Sequence, residues 1–134
     1  MRALDPHSPI RIARPTADLA AAEAFWVQGV GLSVLWRTDT VSEGQHHLLM
    51  VGHPDARWHL ELVLDPQLHA AHPPGPEDLL VLYLGAEADS AWTERIESHG
   101  GRAVAARNPY WDTWGRTYAD PDGYLLVLSH RTWE

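Results

Sequence analysis

The sequence predicts an α+β fold, with two βαβββ modules in one chain forming a cup-shaped, curved mixed sheet with helices outside. Three observations lead there. Strand-like and helix-like apolar spacing follow the order strand, helix, strand, strand, strand, and that order occurs twice. The stretch from Asp65 to Glu77, with four prolines and a glycine, reads as a linker between the copies. Setting Arg11 against Leu79, Gly31 against Gly101 and Glu61 against Val127 gives offsets of 68, 70 and 66 residues, so the copies run in near register. Module one then spans about 9–64, the linker 65–77 and module two about 78–131, within a single domain of residues 1–134.

Ile10 to Arg14 is a short strand stopped by Pro15, which has no N–H for a ladder. Thr16 or Asp18 caps a helix in which Leu19, Ala22, Phe25, Trp26 and Val30 recur at helical spacing, and Gly29 and Gly31 end it. Leu32 to Thr38, His46 to Val51 and Trp58 to Leu64 follow as strands, parted by the turn-forming Ser42-Glu43-Gly44 and Gly52-His53-Pro54-Asp55. In the second copy Leu79 to Leu84 is a strand and Asp89 to His99 a helix closed by Gly100-Gly101. Arg102 to Ala105, Gly115 to Ala119 and Tyr124 to Leu128 are its remaining strands. Side chains alternate across a strand, so Ile10 and Ile12 fit the helix-packed side and Arg11 turns into the cup. Leu79, Val81 and Tyr83 line the same cup, alternating with the helix-packed Leu80, Leu82 and Leu84.

Composition narrows the function. At 134 residues, with 45% hydrophobic and 21% charged, the chain has the make-up of one globular domain. Eighteen acidic side chains against ten basic ones, all arginine, give a charge of -8, which speaks against nucleic acid and favours cationic ligands. The absence of cysteine removes disulfides, thiolate nucleophiles and thiolate metal ligands. The longest apolar run, Leu79 to Leu84, is too short to cross a bilayer, and residues 1–10 lack the apolar core of a signal peptide. A cytoplasmic protein with no membrane partner is therefore expected. There is no glycine-rich phosphate loop and no Gly-x-Ser-x-Gly elbow.

Three stretches carry a family likeness: Arg11-Ile12-Ala13-Arg14-Pro15-Thr16-Ala17-Asp18-Leu19, the helix exit Phe25-Trp26…Gly29-Val30-Gly31-Leu32, and the closing Gly115-Arg116…Asp120-Pro121-Asp122-Gly123-Tyr124. In order and spacing they resemble the vicinal oxygen chelate superfamily, the group of glyoxalases, bleomycin-resistance proteins and extradiol dioxygenases. The resemblance implies a divalent metal held by one residue on the first and last strand of each module, and a tendency to form homodimers. Carried over by position, those four places are Arg11, Glu61, Leu79 and Val127. Only Glu61 can ligate, because arginine stays protonated and Leu and Val have no donor atom. The expectation is a protein without a metal cofactor that sequesters a small aromatic or cationic molecule. The alternative is a lyase or extradiol-type dioxygenase with a divalent metal displaced onto His59, Glu61 and His46. A third reading fills the cup with a partner protein. Asp-Pro-Asp-Gly itself is explained by a tight turn, with Gly123 free to take positive φ.

The candidate ligand-binding residues are those expected to face the cup. Arg11 and Glu61 should form an ion pair there, beside His59 on the same strand face and Met50 across the hairpin. Tyr83 joins them from module two. Trp111 and Trp114 belong to an aromatic loop, Asn108 to Gly115, where rings either plug the cup or offer a stacking wall. Trp36 and Trp58 are further stacking candidates, whereas Trp26 and Trp92 sit on helical stripes and read as core.

Overall fold

The computed structural model describes residues 2–133. Two four-stranded mixed sheets form, one per module, as expected. In the first, β1 (Ile10–Thr16) runs parallel to β4 (Trp58–Leu64), and β3 (Leu48–Gly52) joins β4 to β2 (Ser33–Arg37) through antiparallel ladders, giving the order β1-β4-β3-β2. The second repeats the plan as β5-β8-β7-β6, from β5 (Leu79–Tyr83), β8 (Leu125–Ser129), β7 (Gly115–Ala119) and β6 (Arg102–Val104). β1 continues through Pro15 to Thr16. It lies at the sheet edge, where a missing N–H is tolerated.

Helix α1 (Leu19–Glu23) starts at Asp18, whose carboxylate accepts the Ala21 N–H, and then widens into a π-helical turn, Ala24–Gly29. That turn buries Phe25 and Trp26 edge to face, with ring centroids 4.8 Å apart. Two further helices replace expected irregular stretches. Within the proline-rich linker, α2 (Pro66–Ala71) is capped by the Asp65 side chain and opens on Pro66, whose missing N–H is one that a first helical turn leaves unbonded anyway. The aromatic loop likewise contains α4 (Pro109–Trp114), capped by Asn108 and opened by Pro109.

One buried cluster unites the modules: Phe25, Trp26 and Leu60 from the first share a core with Ile96, Tyr118 and Leu126 from the second. The π-helical turn packs against α3 (Ser90–Ser98). Across that contact Trp92 Nε1 donates to the Val30 carbonyl at 2.9 Å and Arg95 Nε to that of Gly29 at 3.1 Å. The turn between β7 and β8 makes a second seam. There the buried Asp122 accepts from the Thr16 hydroxyl and from the Ala17 N–H at 3.0 Å. Among the described residues no helix is long and apolar enough to cross a membrane.

Candidate functional site

The parity of β4 decides which side chains face the cup. Leu60 and Leu62 are buried in the core, so His59, Glu61 and Val63 point the other way. The ladders place Met50 of β3 beside Glu61, and Trp36 of β2 beside Met50. Arg11 sits on β1 next to His59. From there its side chain reaches across β4. Arg11 Nη1 meets the Glu61 carboxylate at 3.1 Å, Nε donates to His59 Nε2 at 3.1 Å, and Nη2 donates to the Met50 sulfur at 3.6 Å. The expected Arg11–Glu61 pair thus exists, but it is not deeply buried. Glu61 is 15% exposed and lies beneath Arg11, which is 53% exposed.

Trp36 is also open to solvent, and beside it a cavity of about 440 Å³ is bounded by Trp36, Gln45, His46, Leu48 and Val63. Val41 adds to its apolar lining from the β2–β3 connection, a segment that gave no chemical signal in the sequence.

Other candidates lie elsewhere. Trp58 is a correction: it shares the parity of Leu60 and packs on the core, so it cannot be a cup wall. His46 Nδ1 bonds the Leu64 carbonyl at 2.9 Å and Nε2 lies 3.7 Å from Asp65, so this ring is turned away from Glu61. Tyr83 stands on the cup side of β5 and packs edge-on against Trp133, 5.9 Å between centroids. On α4, Trp114 lies under the Arg131 guanidinium at 4.8 Å while Trp111 packs against Tyr110. α4 rests on β7 and β8, where Thr117, Val127 and Ser129 are all buried, so module two has a filled face where module one has an open one. The module-two aromatics share no printed contact with the Arg11 cluster.

A divalent metal fits poorly here. Glu61 is engaged by a guanidinium, His59 Nε2 accepts from the same group, and no group of three or more ligating side chains converges among the described residues.

The Asp-Pro-Asp-Gly turn does more than reverse the chain. Asp120 accepts the N–H groups of Asp122 and Tyr124 at 2.9 Å each, while Asp122 reaches module one. Burial, and then the neighbouring Asp122 charge, pushes the Asp120 pKa up to about 6, against the opposing pull of those N–H groups and Arg14. Arg14 lies 4.5 Å over the Tyr124 ring, and desolvation lowers its pKa. No local pattern marks Arg14 or Asp122 as a bridge, because their partners are a hundred residues away.

Comparison with known proteins agrees with this geometry. The YycE-like N-terminal domain matches residues 10–63 and the YycE-like C-terminal domain residues 77–130. YycE of Bacillus subtilis (strain 168) is 34% identical over 126 residues, covering 90% of this chain and 86% of that protein. A crystal structure of YycE from Bacillus subtilis aligns with a TM-score of 0.77 at 29% identity, covering 96% of this chain and 93% of that one. A glyoxalase/bleomycin resistance protein from Streptomyces sp. CB03234 aligns with a TM-score of 0.58 at 27% identity, covering 91% and 99%. With both modules matched in order and a relative alike over nearly its whole length, the chain belongs to the YycE-like family, a branch of the glyoxalase and bleomycin-resistance fold of the vicinal oxygen chelate superfamily.

Proposed function

We propose that this protein binds a small aromatic molecule on the open face of module one and works without a metal. The carrying observation is the Arg11 guanidinium, seated on Glu61, His59 and Met50 in the place where the superfamily's enzymes hold their ion. That charge satisfies the one carboxylate a metal would need, and an arginine cannot itself ligate. Exposed Trp36 and the adjoining cavity supply what sequestration requires, a flat apolar wall with room beside it.

Two measurements test the reading. Elemental analysis of purified protein should find no stoichiometric Zn, Mn, Ni or Fe. One equivalent per chain, lost on Glu61→Ala, would overturn the proposal in favour of a metal enzyme. Trp36→Ala should weaken binding of a bicyclic aromatic probe by about 1 kcal/mol or more, roughly five-fold, in a calorimetric titration.

A further inference from the structure

Hydrogen-bond bookkeeping around Arg11 deepens that reading and rests on it. A guanidinium has five N–H groups and no acceptor. Three of Arg11's are spent, on Glu61, His59 and Met50, which leaves one on each terminal nitrogen. Since Arg11 Nε only donates, His59 Nε2 is the acceptor and the ring's own proton sits on Nδ1. What the cluster has left to offer is therefore mainly donors. Layering says the same about charge: the carboxylate lies below, largely covered, and the guanidinium lies above it, half open. An incoming molecule meets the cation first.

Placement adds a length. Arg11 starts on β1 but its Nη2 touches Met50 on β3, so the guanidinium ends one strand, roughly 5 Å, from Trp36 on β2. An acidic group on Arg11 and a ring against Trp36 would thus belong to one compact molecule. We infer that the molecule held here is an aromatic carboxylate, its anion on the free Arg11 N–H pair and its ring against Trp36 beside the cavity. A bidentate guanidinium–carboxylate contact is stronger and more directional than a neutral hydrogen bond. The chain's overall charge of -8 opposes an anion at long range, but that repulsion is screened beyond about 8 Å at physiological ionic strength.

The test is a calorimetric titration of the full chain with three probes that share one ring system: naphthalene-2-carboxylate, 2-naphthylmethanol and 2-naphthylmethylammonium. The carboxylate should bind at least ten-fold more tightly than the ammonium. Arg11→Gln should erase that preference while leaving the alcohol's affinity within two-fold. Arg11→Lys, which keeps the charge but loses the planar fork, should retain a smaller preference, and it carries the test if Arg11→Gln fails to melt cooperatively. Equal affinities for all three probes, or tighter binding of the ammonium, with binding still dependent on Trp36, would overturn the carboxylate assignment and leave the aromatic binder standing. Failure of all three to bind, or binding indifferent to Trp36→Ala, would overturn both.

Discussion

Arg11 shows how exposure sets the worth of an ion pair. A fully buried pair broken on one side costs about 3 kcal/mol or more, the magnitude expected for a charge deep in a cup. Here the arginine is half in solvent, and screening reduces the expected coupling to about 1 kcal/mol. A double-mutant cycle of Arg11→Met and Glu61→Leu, followed by urea melts, should give a coupling of that order; strict additivity would show that the pair contributes nothing. Asp120 presents the opposite case, a carboxyl out of water. Its pKa of about 6 lies above the ordinary value of 3.8, so the native state holds the extra proton between those limits. The group's contribution to stability is greatest below pH 4 and is lost as pH rises through about 6. Asp120→Asn keeps an oxygen for the two N–H donors. It should raise stability at pH 7.5 by on the order of 2 kcal/mol and make no such gain at pH 4, measured as the difference between variant and parent.

Among the elements, β7 depends on its first residue. A Cβ on Gly115 would collide with the Leu128 carbonyl of β8, which is backbone and cannot step aside. Gly115→Ala should therefore cost about 3 kcal/mol in a denaturant melt, while Trp114→Ala, one residue earlier on the exposed side of α4, should cost less than 1 kcal/mol. The strands and the two long helical segments were legible because apolar periodicity is a local signal. α2 and α4 were missed because their prolines were read as breakers. In both, though, a capping side chain precedes the proline, Asp65-Pro66 and Asn108-Pro109, and that pair marks a helix start. Parity correctly put Arg11, His59 and Glu61 on one face. Trp58 was misplaced because its ring chemistry was weighed before its parity with Leu60. The cavity beside Trp36 was illegible, since its walls come from a connection without periodicity.

At the scale of the molecule, two seams hold the halves: the π-helical turn against α3, and Asp122 against the end of β1. Asp122→Ala would strand the buried Thr16 hydroxyl and the Ala17 N–H, and should cost about 2 kcal/mol. Because the core cluster is continuous, tryptophan fluorescence and far-ultraviolet circular dichroism should still report one coincident unfolding transition; two resolved steps would mean that the halves fold separately. The wide turn has a genetic consequence as well. In it the Val30 N–H reaches back five residues to Phe25 instead of four, so the segment holds one residue more than an α-helical path needs. Loss of a single codon from this stretch would be harmless locally, since the backbone could relax into an ordinary helix. It would also turn everything downstream by about 100°, carrying the Gly29 and Val30 carbonyls away from Arg95 and Trp92. An in-frame deletion scan should therefore find its most damaging positions in a helix whose own geometry would be improved by them.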